Sequence, residues 1–162
     1  MLTFPKRFRV PKAYRHPRFL LLPATPSQAV VEFVAMLRER EQLHQLFRPN
    51  DLWPSANFSL SQHEGDLEWQ QSEFLAKRSF AYGLWSPDRE PQFLGGVYLY
   101  PSVLPEVAVE LFFWKVAEAP ITDEELEIQL RDWLARVWQW PEPRLPGRDV
   151  PWSEWPGVTY PW

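Results

Sequence analysis

The chain has 162 residues, a net charge of −4 and no cysteine. This length predicts a single domain, residues 1–162, that buries about two-thirds of its unfolded surface. The lack of cysteine excludes disulfides, thiolate zinc sites, iron–sulfur clusters and thiol nucleophiles. With only 6 glycines, the sequence contains no glycine-rich phosphate loop of the dinucleotide-binding or P-loop type.

The charge is distributed unevenly along the chain. Residues 1–31 hold six basic side chains and no acidic one, which leaves a net charge of −10 on the remainder. Such an arm is typical of nucleic-acid or membrane contact. Apolar residues are interspersed in it, however (Phe4, Phe8, Val10 and Tyr14). We therefore expect the arm, residues 1–18, to fold back onto the acidic body, and nucleic acid is not an expected partner.

Targeting and metal signals are missing from the sequence. No run of 18 apolar residues predicts a membrane span, and no apolar core of a secretory signal is present. A cytoplasmic protein without a membrane partner is expected. The three histidines at positions 16, 44 and 63 are scattered, which predicts no metal site.

The first half of the chain predicts one strand and two helices. The apolar run 19–22 ends at a proline and suits a buried strand. Thr25 and Gln28 then form a capping box, and residues 61–64 form a second one. After the first helix, the apolar residues fall out of phase, which predicts a kink or a second helix. The expected inward residues of the first helix are Val30, Phe33, Val34 and Leu37, and those of the later helix are Leu67, Gln71, Phe74 and Leu75.

The second half predicts a meander of three strands followed by a helix. Alternating residues mark strands at 80–86, 93–100 and 107–116, with a proline-containing turn at 87–91. We expect the third of these strands to lie centrally in the sheet. Thr122 and Glu125 form a third capping box, which opens an amphipathic helix over 123–138. The proline- and tryptophan-rich residues 141–162 predict an irregular C-terminal wrap.

This order of elements predicts an α+β, or mixed α/β, fold. Several residue runs carry a resemblance: 18–26 as an opening strand and helix start, 80–82 with 94–101 as a hairpin, and 146–148 near the end. Together with the element order, they resemble the GNAT acetyltransferases. The resemblance implies a central, mostly antiparallel sheet with helices on both faces. It also implies transfer of an acyl group from acyl-CoA to an amine or other small-molecule substrate, and it leaves a homodimer open.

The resemblance also implies roles for individual residues. Glu110 would be the general base and Tyr98 the general acid, while the backbone of Phe112, Phe113 and Trp114 would hold the cofactor. Alternatively, Glu110 is solvated or paired with Lys115 or an arginine, and the tyrosines Tyr82, Tyr98 and Tyr100 only pack in the sheet. His63 is expected to be solvated in a first helical turn. The candidates for lining a ligand site are Trp53, Trp152 and Trp155.

One segment departs from the family pattern. In GNAT enzymes a glycine-containing loop donates backbone N–H groups to the diphosphate of acetyl-CoA, but residues 115–125 contain no glycine and include Pro120. Thr122 caps the following helix, and three acidic residues fill its first turn, where they oppose a phosphate. Acetyl-CoA is therefore a questionable cofactor.

Two main hypotheses stay open: an N-acyltransferase, or an inactive GNAT-fold module that binds a small ligand or a protein. RNA association through the arm is a third hypothesis.

Overall fold

The computed structural model describes residues 1–156, which form a five-stranded antiparallel sheet with helices on both faces. The strands follow one another in the sheet in chain order. The tail beyond residue 156, part of the expected 141–162 wrap, lies outside the described residues. The strands are β1 (Tyr14–His16), β2 (Phe19–Pro23), β3 (Phe80–Trp85), β4 (Phe93–Tyr100) and β5 (Glu110–Lys115).

The predicted meander is confirmed, because β3 pairs with β4 and β4 pairs with β5. The expected central position of its last strand is wrong. Within residues 1–156, β5 is an edge strand whose second side makes only an isolated parallel bridge, between Glu110 and Arg144. The segment that follows this bridge residue is rich in proline, and proline lacks the N–H that a strand would donate.

The N-terminal arm contributes a strand that the sequence did not indicate. Its residues Tyr14–His16 form β1, which pairs with β2. Upstream, Phe4 packs on Phe80 and Trp140, and Phe8 packs on Trp138 with ring centroids 5.4 Å apart. The expected packing of the aromatic residues of the arm on the body is confirmed.

The first helix is rotated relative to its expected orientation. A 3₁₀ turn (Pro26–Gln28) leads into α1 (Ala29–Arg38) and the short α2 (Arg40–Leu43). The predicted inward residues Val30, Val34 and Leu37 are 60%, 52% and 44% exposed. The buried residues are instead Ala29, Glu32, Ala35 and Met36. The two alanines allow close packing, and Glu32 is held by polar partners, so the spacing of large apolar residues did not reveal this face.

The remaining helices lie on opposite faces of the sheet. Helix α3 (Leu60–Leu75) packs with α1, and its capping box is formed by Ser59 and Gln62, two residues before the predicted one. Helix α4 (Asp123–Trp133) continues as a π-helical turn (Leu134–Trp138) on the other face. The Thr122–Glu125 capping box is confirmed. None of the described helices is both long and apolar enough to cross a bilayer.

Candidate functional site

A cavity of about 550 Å³ lies between helices α1 and α3 and strand β4. We call it the Tyr98 cavity. The loop 47–58, which follows α2, supplies much of its aromatic wall. The aromatic side chains that line it are Phe47, Trp53, Phe58, Trp69, Tyr98 and Tyr100. A concave site with aromatic walls and a few polar groups is the usual form of a small-molecule site.

A buried polar group lies in the wall of this cavity. The Glu32 carboxylate accepts a hydrogen bond of 2.8 Å from the Nε2 amide of Gln28. The same oxygen lies 3.4 Å from Nε2 of His63, and both side chains of this pair are at most 4% exposed. Neither ring nitrogen of His63 makes a hydrogen bond to another described residue. Buried polar atoms are nearly always satisfied in folded proteins, so this histidine is an exception that requires an explanation.

The expectation that His63 is solvated is therefore wrong. Because α3 begins after Ser59 rather than Ser61, His63 lies closer to the end of the first turn and faces α1. Its ring also packs near Phe33 and Phe58. The capping pair Ser59–Gln62 was readable from the sequence, but the approach of α1 to α3 was not.

Asp66 lies one turn further along α3, also in the lining of the cavity. Partial burial raises the pKa of its carboxyl group, the positive charge that His63 carries only when protonated opposes that change, and the Glu32 carboxylate adds to it. Asp51 is the third acidic side chain of the lining and Arg48 its basic one. With three carboxyl groups against one guanidinium, the cavity favours a positively charged ligand.

Tyr98, the expected general acid, lies in the cavity lining and is fully buried in the sheet. Its hydroxyl oxygen accepts a hydrogen bond of 3.0 Å from the indole N–H of Trp114 on β5. Burial raises the pKa of this phenol well above its usual value, and the Glu32 carboxylate adds to the rise. The hydroxyl therefore stays protonated. Tyr82 points to the opposite face, where it donates to the Pro11 carbonyl oxygen.

Glu110, the expected general base, is buried at the start of β5, opposite Tyr100. This pairing places it on the same sheet face as Tyr98. It is 3% exposed, so the alternative of a solvated glutamate is wrong. It does not belong to the lining of the Tyr98 cavity.

The three residues expected to hold the cofactor are divided between the two faces of the sheet. Phe112 and Trp114 pair with Tyr98 and Gly96 on the cavity face, whereas Phe113 points to the α4 face. A separate cleft of about 290 Å³, which we call the β5-edge cleft, lies beside Phe112. Residues of the C-terminal segment line its other side: Pro146, Gly147, Arg148 and Trp152.

Two side chains of this segment occupy the edge of β5. The guanidinium of Arg148 lies 3.9 Å above the ring of Phe113, donates to its carbonyl oxygen at 2.9 Å, and pairs with Asp123 at 3.2 Å. Trp152 stacks on Phe112 and donates its indole N–H to the Gln45 carbonyl oxygen. The backbone carbonyl of Phe113 is thus already bonded within the protein.

The loop between β5 and α4 also bonds four of its backbone N–H groups within the protein. Its backbone N–H groups donate to protein acceptors at 2.8 to 3.1 Å: Val116 to the Leu94 carbonyl, Ala117 to the Glu39 carboxylate, Ala119 to the Val116 carbonyl and Thr122 to the Glu125 carboxylate. Asp123 pairs with Lys115 and Arg148, and Glu125 pairs with Arg18. Four N–H groups of the segment 116–122 therefore already donate to carboxylates and carbonyls of the protein. The residues present do not fit a CoA diphosphate held by free N–H groups of this segment, as the resemblance implied.

The tryptophans proposed as ligand contacts have different positions. Trp53 lines the Tyr98 cavity and Trp152 the β5-edge cleft. Trp155 is buried beside Arg144 and lines neither. Among residues 1–156, no group of three histidine, aspartate or glutamate side chains is placed to hold a metal ion.

Solved structures with the same fold were found, although no protein-family model and no curated protein matches the sequence. Ribosomal-protein-S5-alanine acetyltransferase from Vibrio fischeri aligns over 79% of this chain and 69% of its own, with a TM-score of 0.58 and 12% identity. RimL, a ribosomal L7/L12 alpha-N-protein acetyltransferase in complex with coenzyme A, aligns over 75% and 66%, with a TM-score of 0.56 and 13% identity. FdhC, a nucleotide-linked sugar GNAT, aligns over 80% and 66%, with a TM-score of 0.50 and 15% identity.

The chain therefore has the GNAT fold, as the resemblance of its sequence implied. It spans about two-thirds of the length of each of these three proteins. At identities this low the likeness concerns the fold, and function has to be argued from the site.

Proposed function

We propose that this GNAT-fold chain binds a small, positively charged ligand in the Tyr98 cavity and does not hold CoA through its 116–122 loop. The observation that carries the proposal is the buried Glu32–His63 pair in the cavity wall, whose imidazole nitrogens lack hydrogen-bond partners among the described residues. A buried donor or acceptor left unmatched costs about 1–3 kcal/mol. A ligand that bonds to this ring would remove that cost.

The proton of the imidazole indicates what the ligand must offer. A carboxylate at 3.4 Å favours the proton on Nε2 of His63, which we assign from this contact. Nδ1 of the neutral ring is then an acceptor and requires a donor from the ligand. An ammonium group supplies both this N–H and a positive charge toward Glu32, and the aromatic walls add cation–π attraction.

The volume of the cavity limits the size of the ligand. About 550 Å³ lies within the range of sites that hold ordinary small molecules. The six aromatic side chains of the lining favour a ligand that has an apolar body attached to its charged group. We therefore expect an arylalkylammonium to bind better than a short alkylammonium.

Calorimetric titration with 2-phenylethylammonium tests the proposal, with uncharged 2-phenylethanol as the matched probe. We expect the cation to bind at least tenfold more tightly than the alcohol. Glu32→Gln should abolish this preference, because it removes the charge and keeps the shape. Glu124→Gln removes an equal charge from an exposed site and should leave binding unchanged. Equal affinities for the two probes, or no heat with either probe at millimolar concentration, would overturn the proposal.

A second candidate is N-acyl transfer to an amine bound in the same cavity, with Glu110 as base and Tyr98 as acid. The Trp114–Tyr98 hydrogen bond favours it, because it joins the cavity wall to β5 on the face that also carries Glu110. An acyl donor would need a binding mode other than the 116–122 loop. Release of free thiol from acetyl-CoA, dependent on both the ammonium probe and Glu110, would support this candidate. Probe binding without thiol release would leave the binding function alone.

A further inference from the structure

The N-terminal arm carries cations that the rest of the described chain, up to residue 156, does not neutralise. Its side chains Lys6, Arg7, Arg9, Lys12 and Arg15 are all exposed and make no ion pair within residues 1–156. Among the carboxylates of the described chain, one is paired with the arm, that of Glu125 with Arg18. By contrast, seven of the eleven basic residues beyond position 31 form ion pairs in the described part of the chain.

The arm is nevertheless fixed to the body. Leu2 is buried, Phe8 packs on Trp138, and Tyr14 stacks on Trp133 at 5.1 Å. The Tyr82 hydroxyl bonds the Pro11 carbonyl oxygen at 2.7 Å. Aromatic anchors, with the Arg18–Glu125 ion pair at its end, therefore hold the arm, and its other five cations are exposed.

Nucleic acid was not an expected partner because the arm was expected to fold back onto an acidic body. That expectation has two parts, namely that the arm packs on the body and that acidic residues of the body pair with its charges. The arm folds back through its apolar side chains, but of its six basic residues only Arg18 meets a carboxylate of the described chain. The folded-back arm therefore keeps five cations that make no ion pair within residues 1–156.

We infer that the exposed cations of residues 6–15 form a docking strip for the phosphodiester backbone of a single-stranded nucleic acid. Three of the five are arginines, whose planar guanidinium matches phosphate geometry. The rest of the chain beyond residue 31 carries a net charge of −10, so a broad anionic partner would be repelled where it spread over the body. A thin, linear polyanion follows the strip without covering that surface. The half-buried aromatic residues of the arm are engaged with the body, so phosphate contacts, not base stacking, would supply the affinity.

Fluorescence anisotropy with a labelled 12-nucleotide oligo-U tests the inference, using the full chain. Five phosphate contacts predict a slope of log K against log salt of about −3.5. The double variant Lys6→Gln/Arg9→Gln should lower the affinity roughly tenfold or more in low salt and reduce the slope to about −2. The matched control, Lys77→Gln/Arg89→Gln, removes one lysine and one arginine outside the arm that are exposed and make no ion pair within residues 1–156, and it should bind like the wild type.

The other partner classes are outcomes of the same experiment. Oligo-dT should bind in the same way, since the contacts are to phosphate. An oligo-glutamate of equal charge that binds as tightly as oligo-U would overturn the assignment to nucleic acid and favour an acidic protein. A duplex that binds more tightly than the single strand would overturn the assignment to single-stranded nucleic acid. No salt-dependent binding in 50 mM salt, or equal losses in the two double variants, would overturn the strip itself. Thermal melting checks that every variant is folded.

Discussion

The Tyr98 cavity and the loop between β5 and α4 differ in how far the protein satisfies its own polar groups. At this loop and the adjoining edge of β5, the Phe113 carbonyl, the Asp123 carboxylate and four of the 116–122 N–H groups have partners within the chain. In the cavity, the buried His63 ring has no hydrogen bond to a described residue. The structure therefore bonds these groups of the loop internally, while it leaves a buried polar group of the Tyr98 cavity without a hydrogen bond to a described residue.

The largest expected effect comes from a substitution between β4 and β5, because these strands carry lining residues of both the Tyr98 cavity and the β5-edge cleft. Gly95 has a φ of 156°, and a β-carbon there would lie 2.0 Å from the Trp114 carbonyl oxygen. Gly95→Ala should therefore separate the strands that carry Tyr98 and Phe112, at a cost of about 3 kcal/mol or more in unfolding free energy. Chemical denaturation measures this loss.

The matched control for that change is Gly65→Ala. Gly65 lies within α3 and has no atom within 4 Å of an added β-carbon. Because alanine favours a helix interior, the variant should gain up to about 1 kcal/mol. Unaltered stability of Gly95→Ala would contradict the close approach of the two strands.

The second prediction distinguishes the two regions by how much a ligand stabilises the folded protein. A ligand at one hundred times its dissociation constant raises the unfolding free energy by about 2.7 kcal/mol. We expect 2-phenylethylammonium to raise the melting temperature accordingly in the wild type and not in Glu32→Gln. Acetyl-CoA at millimolar concentration should leave it unchanged. Stabilisation by acetyl-CoA would show that the loop argument is wrong.

The third prediction concerns Arg148, which fills the edge of the cleft. Arg148→Leu removes the donors to the Phe113 carbonyl and to Asp123, which should lower the unfolding free energy by about 1–3 kcal/mol. The control Arg136→Leu removes an exposed ion pair with Asp132 on α4 and should cost less than about 1 kcal/mol. Affinity for the ammonium probe should not change in either variant. A probe affinity that fell in Arg148→Leu would mean that the two regions are coupled.

The smallest effect is a pH dependence at the start of α4. The backbone N–H of Thr122 and the guanidinium of Arg18 hold the pKa of Glu125 below its usual 4.5. A carboxyl group with a lowered folded pKa contributes stability above its unfolded pKa and loses that contribution as the pH falls through the folded value. Between about pH 5 and pH 3, Glu125→Gln should therefore lose less stability than the wild type. Urea denaturation at several pH values measures this loss. If the unfolding free energy changed equally with pH in both proteins, the lowered pKa assigned to Glu125 would be refuted.

Local signals in the sequence were sufficient for much of the fold. The alternation over 80–86 and 93–100 predicted the hairpin, and the Thr122–Glu125 box predicted the start of α4. Both signals involve residues within a few positions of one another, so they act before tertiary structure forms. The absence of glycine from residues 115–125 is also a local signal, and from it we predict that the usual diphosphate loop is missing.

Contacts distant in sequence decided the candidate site. Glu32 and His63 are 31 positions apart, and their contact exists only because α1 turns its alanines inward and packs on α3. Arg148 reaches Phe113 across 35 positions, and β5 lies at an edge because the proline-rich chain after α4 cannot add another full strand. Periodicity and capping are read within one element, whereas the burial of a charge depends on what the neighbouring element brings to it. For this reason the sequence by itself determined the elements and their order, and only the tertiary structure decided which polar groups are satisfied and which face a cavity.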